Sequence, residues 1–119
     1  MSKICFDEIG AMNVTFLCES GVEAGMAVGV TDDETVGACE EGERFCGVVI
    51  GTEGDCAAVQ VRGFACVKCS DSNVEAGYAV LTADGEGGVK IADAEEDELG
   101  GEYLVISVDA TAGTAMILL

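Results

Sequence analysis

The sequence contains no histidine, no proline and no tryptophan, and it has only five basic residues among 119. Without histidine, and with no serine or cysteine beside a plausible base, nothing favours nucleophilic catalysis. Only six residues are aromatic, so the core must be built from Val, Ile, Leu, Ala, Met and Cys. Seventeen glycines in a chain without proline point to many tight turns made by residues with positive φ.

The scarcity of bases excludes several classes of partner. Five Lys and Arg stand against 23 Asp and Glu, for a net charge of −18. Nucleic-acid binding needs clustered bases to contact phosphates, and an anionic membrane surface needs them as well. We therefore expect neither partner.

Long apolar runs are also absent. The N-terminal segment has no run of the kind that a signal peptide needs. The longest apolar stretch, Ala115–Leu119, is far too short to span a bilayer. The sequence thus predicts a protein that stays in the cytoplasm of the cell that makes it.

A seven-residue segment is written twice, and the rest of the chain is arranged around it. Val22–Val28 (VEAGMAV) recurs 52 residues later as Val74–Val80 (VEAGYAV), with six of the seven residues identical. The segments that follow the two copies are also related. A period this long that occurs only twice does not indicate a solenoid. It predicts one domain over 1–119, made of two similar β-modules at roughly 13–63 and 64–119.

Alternating apolar residues and glycine-marked turns predict an all-β fold, a compact barrel or sandwich of nine or ten short strands. Within 92–99 the residues permit either a helix or an acidic loop, although like charges oppose the helix. The predicted strands are 13–18, 26–30, 35–39, 45–50, 56–62, 64–68, 78–82, 89–91, 103–108 and 114–119.

Two features could carry metal chemistry. Cys66-Val67-Lys68-Cys69 is a C-x-x-C pair, but it has no second pair and no histidine to complete a zinc site. In a strand, residues three apart point to opposite faces, so packing as apolar thiols is favoured over a metal or redox role. Acidic clusters at 32–34, 40–43 and 93–98 could bind calcium, yet none has EF-hand spacing, which favours solvated carboxylates.

The order of these segments resembles a family of small phage head proteins, the capsid cement or decoration proteins. Ala24–Val28 matches the segment before that family's early strand. Ala58–Ala65 matches its alternating middle stretch, and Ala76–Asp84 its second module before a Gly-rich hairpin. The resemblance implies a β-barrel-like fold, often trimeric, that adds to the outside of an assembled capsid and stabilises it. It implies no catalytic residues.

Two hypotheses follow. The first is a non-enzymatic phage or prophage head-decoration subunit, a homo-oligomer without a cofactor that binds the major capsid protein and ends on the virion head surface. For its contacts between copies, the sequence offers Met26, Tyr78 and Leu81. The second is a small-molecule or metal-binding β-barrel that uses Cys66, Cys69 and loop carboxylates.

Overall fold

A computed structural model describes residues 10–93 and 100–119 of the chain. Every regular element in these two ranges is a β-strand, which confirms the all-β prediction. Of the segment 92–99, residues 94–99 lie outside the described part. The ten strands are β1 (Met12–Cys18), β2 (Ala27–Asp32), β3 (Thr35–Ala38), β4 (Gly47–Glu53), β5 (Cys56–Arg62), β6 (Phe64–Lys68), β7 (Gly77–Ala83), β8 (Val89–Ile91), β9 (Gly101–Asp109) and β10 (Thr114–Leu118).

The strands form two sheets of five. The first sheet runs β1-β3-β2-β4-β5 and closes into a barrel, because β5 also pairs with β1. Only the β1–β3 pair is parallel among the described ladders of the barrel. The second sheet runs β6-β10-β9-β7-β8 and stays open.

The two sheets have the same strand order. Read from β3, the order in the barrel is β3-β2-β4-β5-β1. Read from β8, the order in the second sheet is β8-β7-β9-β10-β6, which is the same order with five added to each strand number. Each sheet also carries a one-residue irregularity at the matching place, at Ile50 in β4 and at Ile106 in β9. The difference lies in closure: the described ladders include a β1–β3 pair but no β6–β8 pair.

Both predicted ends of β4 are wrong. The sequence predicts a strand over 45–50, whereas β4 begins at Gly47 and continues to Glu53. Gly51, Thr52 and Glu53 pair with residues of β5, so the hairpin needs only Gly54 and Asp55 to reverse. Glycine suits that turn because Gly54 has a φ of 62°.

The buried residues form two hydrophobic clusters, one inside the barrel and one between the two sheets. The barrel interior is filled by Val22, Met26, Val28, Val36, Val49, Ala57 and Val59. A larger shared core lies between the sheets. There Ala27, Cys39, Phe45 and Val48 from the first half of the chain pack against inward-facing residues of the second sheet, among them Leu81, Tyr103, Val105 and Ile117. The rings of Phe45 and Tyr103 stack across this core.

Candidate functional site

The most distinctive surface of the molecule is an apolar face on the second sheet. One residue from each of four neighbouring strands lies in a row: Phe64 on β6, Leu118 on β10, Leu104 on β9 and Tyr78 on β7. Each is the direct cross-strand partner of the next. Tyr78 is 75% exposed and Leu118 is also exposed, while Phe64 and Leu104 are half-buried.

A second, shorter row extends the same face. Exposed Cys66 lies opposite half-buried Met116, which lies opposite Ser107. We call these seven residues, from the two rows together, the outer face. None of them is charged, although the chain carries 23 acidic residues. A contiguous apolar patch on an otherwise charged surface is typical of a protein–protein contact.

Tyr78 lies on the outer face because the two seven-residue copies pair differently with their neighbouring strands. In the first copy, the N–H of Gly25 donates to the carbonyl of Val49 (2.8 Å), and the N–H of Val49 donates to the carbonyl of Met26 (2.9 Å). Gly25 and Met26 therefore both face Val49. With Gly25 at a φ of 88°, this is the pattern of a glycine-first β-bulge.

The second copy has no such extra residue. Gly77 pairs directly with Val105, and Tyr78 pairs with Leu104. Because side chains alternate along a strand, a difference of one residue reverses which face they occupy. Met26 consequently packs inside the barrel, whereas Tyr78 projects from the outer face.

This geometry corrects part of the predicted contact set. Met26 is only 7% exposed and Leu81 is fully buried, so neither can contact another molecule. Of the three predicted residues only Tyr78 is available. Sequence reasoning missed Phe64, Leu104 and Leu118, although each occupies the outward half of an alternating apolar stretch.

A groove of about 450 Å³ continues the outer face toward the barrel. Cys66, Phe64 and Met116 line one side, and exposed Ile50 and half-buried Gln60 line the other. The Gln60 amide fixes the junction between the sheets, because its Nε2 donates to the carbonyls of Arg62 (3.0 Å) and Phe64 (2.8 Å). The apolar surface therefore crosses from one sheet to the other.

The two cysteines of the C-x-x-C pair have different environments. Cys66 is exposed on the outer face, while Cys69 is buried in the shared core. Burial raises the pKa of the Cys69 thiol, and it raises the pKa of the Cys39 thiol to about 11. A metal ligand must be a thiolate, so the raised pKa opposes coordination at Cys69.

Both cysteines of the pair do border one cleft of about 410 Å³, together with Asp84 and Glu86. The Asp84 carboxylate is occupied by the turn, because its Oδ1 accepts the N–H groups of Glu86 (2.7 Å) and Gly88 (3.0 Å). Within 10–93 and 100–119, no three Cys, Asp or Glu side chains are grouped to hold a metal ion.

The predicted acidic clusters have local roles where they are described. Asp32 Oδ1 accepts the N–H of Asp33 in the β2–β3 turn (2.8 Å). Glu43 Oε1 accepts the N–H of Glu40 (2.7 Å), and Glu41 lies 3.6 Å from the Lys90 ammonium. Of the cluster 93–98, residues 94–98 lie outside the described part.

Comparison with known proteins adds no relative. No protein-family model matches the chain, and no curated protein matches its sequence. Among the described residues, no helix has the length and apolar character needed to cross a membrane.

Proposed function

We propose that the protein is a non-enzymatic structural subunit of the phage head-decoration kind. It works by contact with other protein surfaces: it associates with its own copies and binds the major capsid protein on the head. The observation that carries the proposal is the outer face, an uncharged apolar surface on a chain of net charge −18. The sequence resemblance to capsid cement proteins supports it and favours a trimer.

The acidic remainder of the surface is compatible with this role. Like-charged subunits repel one another wherever their acids meet, which limits association to the surface that lacks acids. A decoration subunit must bind at defined places on a shell without aggregating in solution, and this distribution of charge favours that behaviour.

The direct test is co-sedimentation with heads assembled from the major capsid protein that the same genome encodes. We expect saturable binding and a higher temperature of head disruption when the protein is bound. The matched control is the same heads mixed with an unrelated acidic protein of similar mass.

Two results would overturn the proposal. One is a folded protein that binds neither unexpanded nor expanded heads. The other is stoichiometric zinc in the purified protein that is lost in Cys66→Ser, or stoichiometric calcium that is lost on an Asp→Asn change in a loop, since zinc takes thiolate ligands and calcium takes oxygen ligands. Either result would support the metal-binding alternative.

A further inference from the structure

The basic residues of the chain divide into two groups by their partners. Of the four that the structure describes, Lys68 and Lys90 each form an ion pair with a glutamate, at 3.7 and 3.6 Å. Arg44 and Arg62 have no acidic partner within 10–93 and 100–119, although the chain contains 23 acidic residues. Arginine is the better ion-pair former, because its five N–H donors form a fork that matches a carboxylate. Two unpaired arginines on so acidic a chain therefore indicate an acceptor from outside it.

The two arginines line one cleft, which we call the arginine cleft. It has a volume of about 300 Å³ and lies where the segment before β4, the end of β5 and the start of β9 meet. Both arginines are exposed. In the described part of the chain, Arg62 Nη1 reaches only the carbonyl of its neighbour Val61, at 3.5 Å. Neither guanidinium thus has a charged acceptor.

A further donor in the arginine cleft is the hydroxyl of Tyr103, which lies beside the Arg44 guanidinium. The tyrosine is held in place, because its ring stacks on Phe45 and a side-chain carbon at Gly101 would come within 3.0 Å of its hydroxyl. Burial raises the pKa of Tyr103 more than Arg44 lowers it, so the hydroxyl keeps its proton at neutral pH. The cleft therefore contains a fixed donor that needs no ordering when a ligand binds.

The rest of the lining sets the class of ligand. Phe45, Val61 and Leu119 supply apolar walls, which suit a carbon chain better than a bare ion. Exposed Glu102 lies at the same cleft, and its carboxylate disfavours a second negative charge on the ligand. A carboxylate carries a single charge, whereas a phosphate ester carries about 1.5–2 at neutral pH. The lining thus favours one carboxylate group on an apolar stem.

The acidity of the whole chain does not exclude such a ligand. At physiological ionic strength, charges more than about 8 Å away are largely screened, so the net charge of −18 acts weakly inside the cleft. Binding depends on the groups at contact distance, and two of the three charged side chains that line the cleft are guanidiniums. Hydrogen bonds from arginine to a carboxylate are roughly twice as strong as neutral ones.

We propose that the arginine cleft binds one carboxylate group. Arg44 and Arg62 hold its oxygens through their guanidiniums, and the Tyr103 hydroxyl donates to it. Its apolar stem lies against Val61 and Leu119. The carboxylate belongs to a small organic acid or to an acidic side chain of another protein, and its contacts in the cleft are the same in both cases. The cleft shares no residue with the outer face, so the inference does not rest on the proposed function.

The test uses NMR on the whole chain. Because the chain has only two arginines, their side-chain Nε–H groups give two signals in a proton–nitrogen spectrum. Butyrate is the probe for a free acid, and a capped Ala-Glu-Ala peptide is the probe for a protein side chain. Butyramide is the neutral control, and ionic strength is held constant. We expect at least one of the two acids to shift both signals with one shared dissociation constant, while butyramide leaves them in place. The acid that binds more tightly identifies the source.

Variants show whether the arginines act as one site. Arg44→Gln should weaken the binding that the remaining Arg62 signal reports by about fivefold, the upper end for an exposed ion pair. Lys68→Gln is the matched control, because it removes the same charge outside the arginine cleft and should leave the dissociation constant unchanged. Glu102→Gln should tighten binding, since it removes the opposing carboxylate. Circular dichroism must show that all three variants are folded.

A thiol gives an independent readout. Cys46 is an exposed thiol that lines the arginine cleft, whereas Cys66 is an exposed thiol outside it. Bound acid should slow the alkylation of Cys46 several-fold and leave that of Cys66 unchanged.

Three results would overturn the inference: no shift beyond that caused by butyramide, an unchanged dissociation constant in Arg44→Gln, or tighter binding of inorganic phosphate than of either acid. None of these measurements involves heads, so such a failure would leave the proposed function standing. Loss of head binding with an intact carboxylate site would do the reverse.

Discussion

Replacing the stacked rings of Phe45 and Tyr103 tests whether the two sheets unfold in a single transition. Their centroids are 4.9 Å apart with an interplanar angle of 15°, and both side chains are buried in the shared core. Phe45 comes from the segment before β4, and Tyr103 from β9. The pair therefore bridges the two halves of the chain. The test replaces Phe45 and Tyr103 by leucine, first singly and then together.

The expected losses follow from burial and ring geometry. Leucine is smaller than either ring and leaves part of its space unfilled, so each replacement should cost about 1–3 kcal/mol, and an aromatic pair adds about 0.5–1.5 kcal/mol beyond its buried area. A domain of this length is stable by about 6–18 kcal/mol, so each variant stays folded. We expect the double variant to lose less than the sum of the single losses by the pair term, about 1 kcal/mol.

The assay is urea unfolding followed by two independent probes. Far-UV circular dichroism reports the strands of both sheets. Pulsed thiol labelling reports each half of the chain separately, through Cys18 on β1 and Cys69 in the shared core. Because the core is shared, the two probes should give one transition, and Phe45→Leu should lower its midpoint for both thiols alike.

Two outcomes would refute this reasoning. Strict additivity of the two leucine replacements would mean that the rings do not interact. Labelling of Cys69 at lower urea than Cys18 in Phe45→Leu would mean that the sheets unfold separately.

Two further changes test polar groups. Thr82 is fully buried, and its hydroxyl has no hydrogen-bond partner within the described ranges. Thr82→Val should therefore raise the free energy of unfolding by about 1 kcal/mol in urea denaturation, and a loss would contradict this account. Asp71 accepts the N–H of Asn73 at Oδ1 (2.9 Å) and that of Ile91 at Oδ2 (3.0 Å), and the bond from Asn73, aided by that from Ile91, holds its pKa below the usual range. Asp71→Asn should lower the free energy of unfolding by about 1 kcal/mol at pH 7, since an amide oxygen can replace only one of these two acceptors. The difference in unfolding free energy from wild type should shrink below about pH 4, because the wild-type carboxylate then protonates. A difference that stays constant down to about pH 2 would refute this account.

Much of the strand pattern was predictable because alternation is local. The outward and inward residues of β5 and β6 follow directly from the sequence: Ala57 and Val59 are buried, and so are Ala65 and Val67. Glycine-marked turns also located most strand ends. What alternation cannot give is which strands pair, so the parallel β1–β3 pair that closes the barrel was not foreseen.

The candidate site was less predictable, for a physical reason. Met26 and Tyr78 occupy the same place in two nearly identical segments, and the sequence treated both as surface residues. A single bulge at Gly25 separates their environments, and bulge formation depends on the hydrogen bonds offered by Val49, a residue 24 positions away. Leu81 was misplaced because a solitary strand does not reveal which of its faces the second layer will cover.

The bulge at Gly25 also governs how each copy can tolerate mutation. The side chain at position 26 fills part of the closed barrel interior, so selection for folding alone restricts this position to residues of about the size of methionine. Position 78 is free of that demand, and only a requirement for assembly would hold it to large apolar side chains. The two nearly identical segments are thus under different selective constraints, and the effect of a substitution in one copy does not predict the effect of the same substitution in the other.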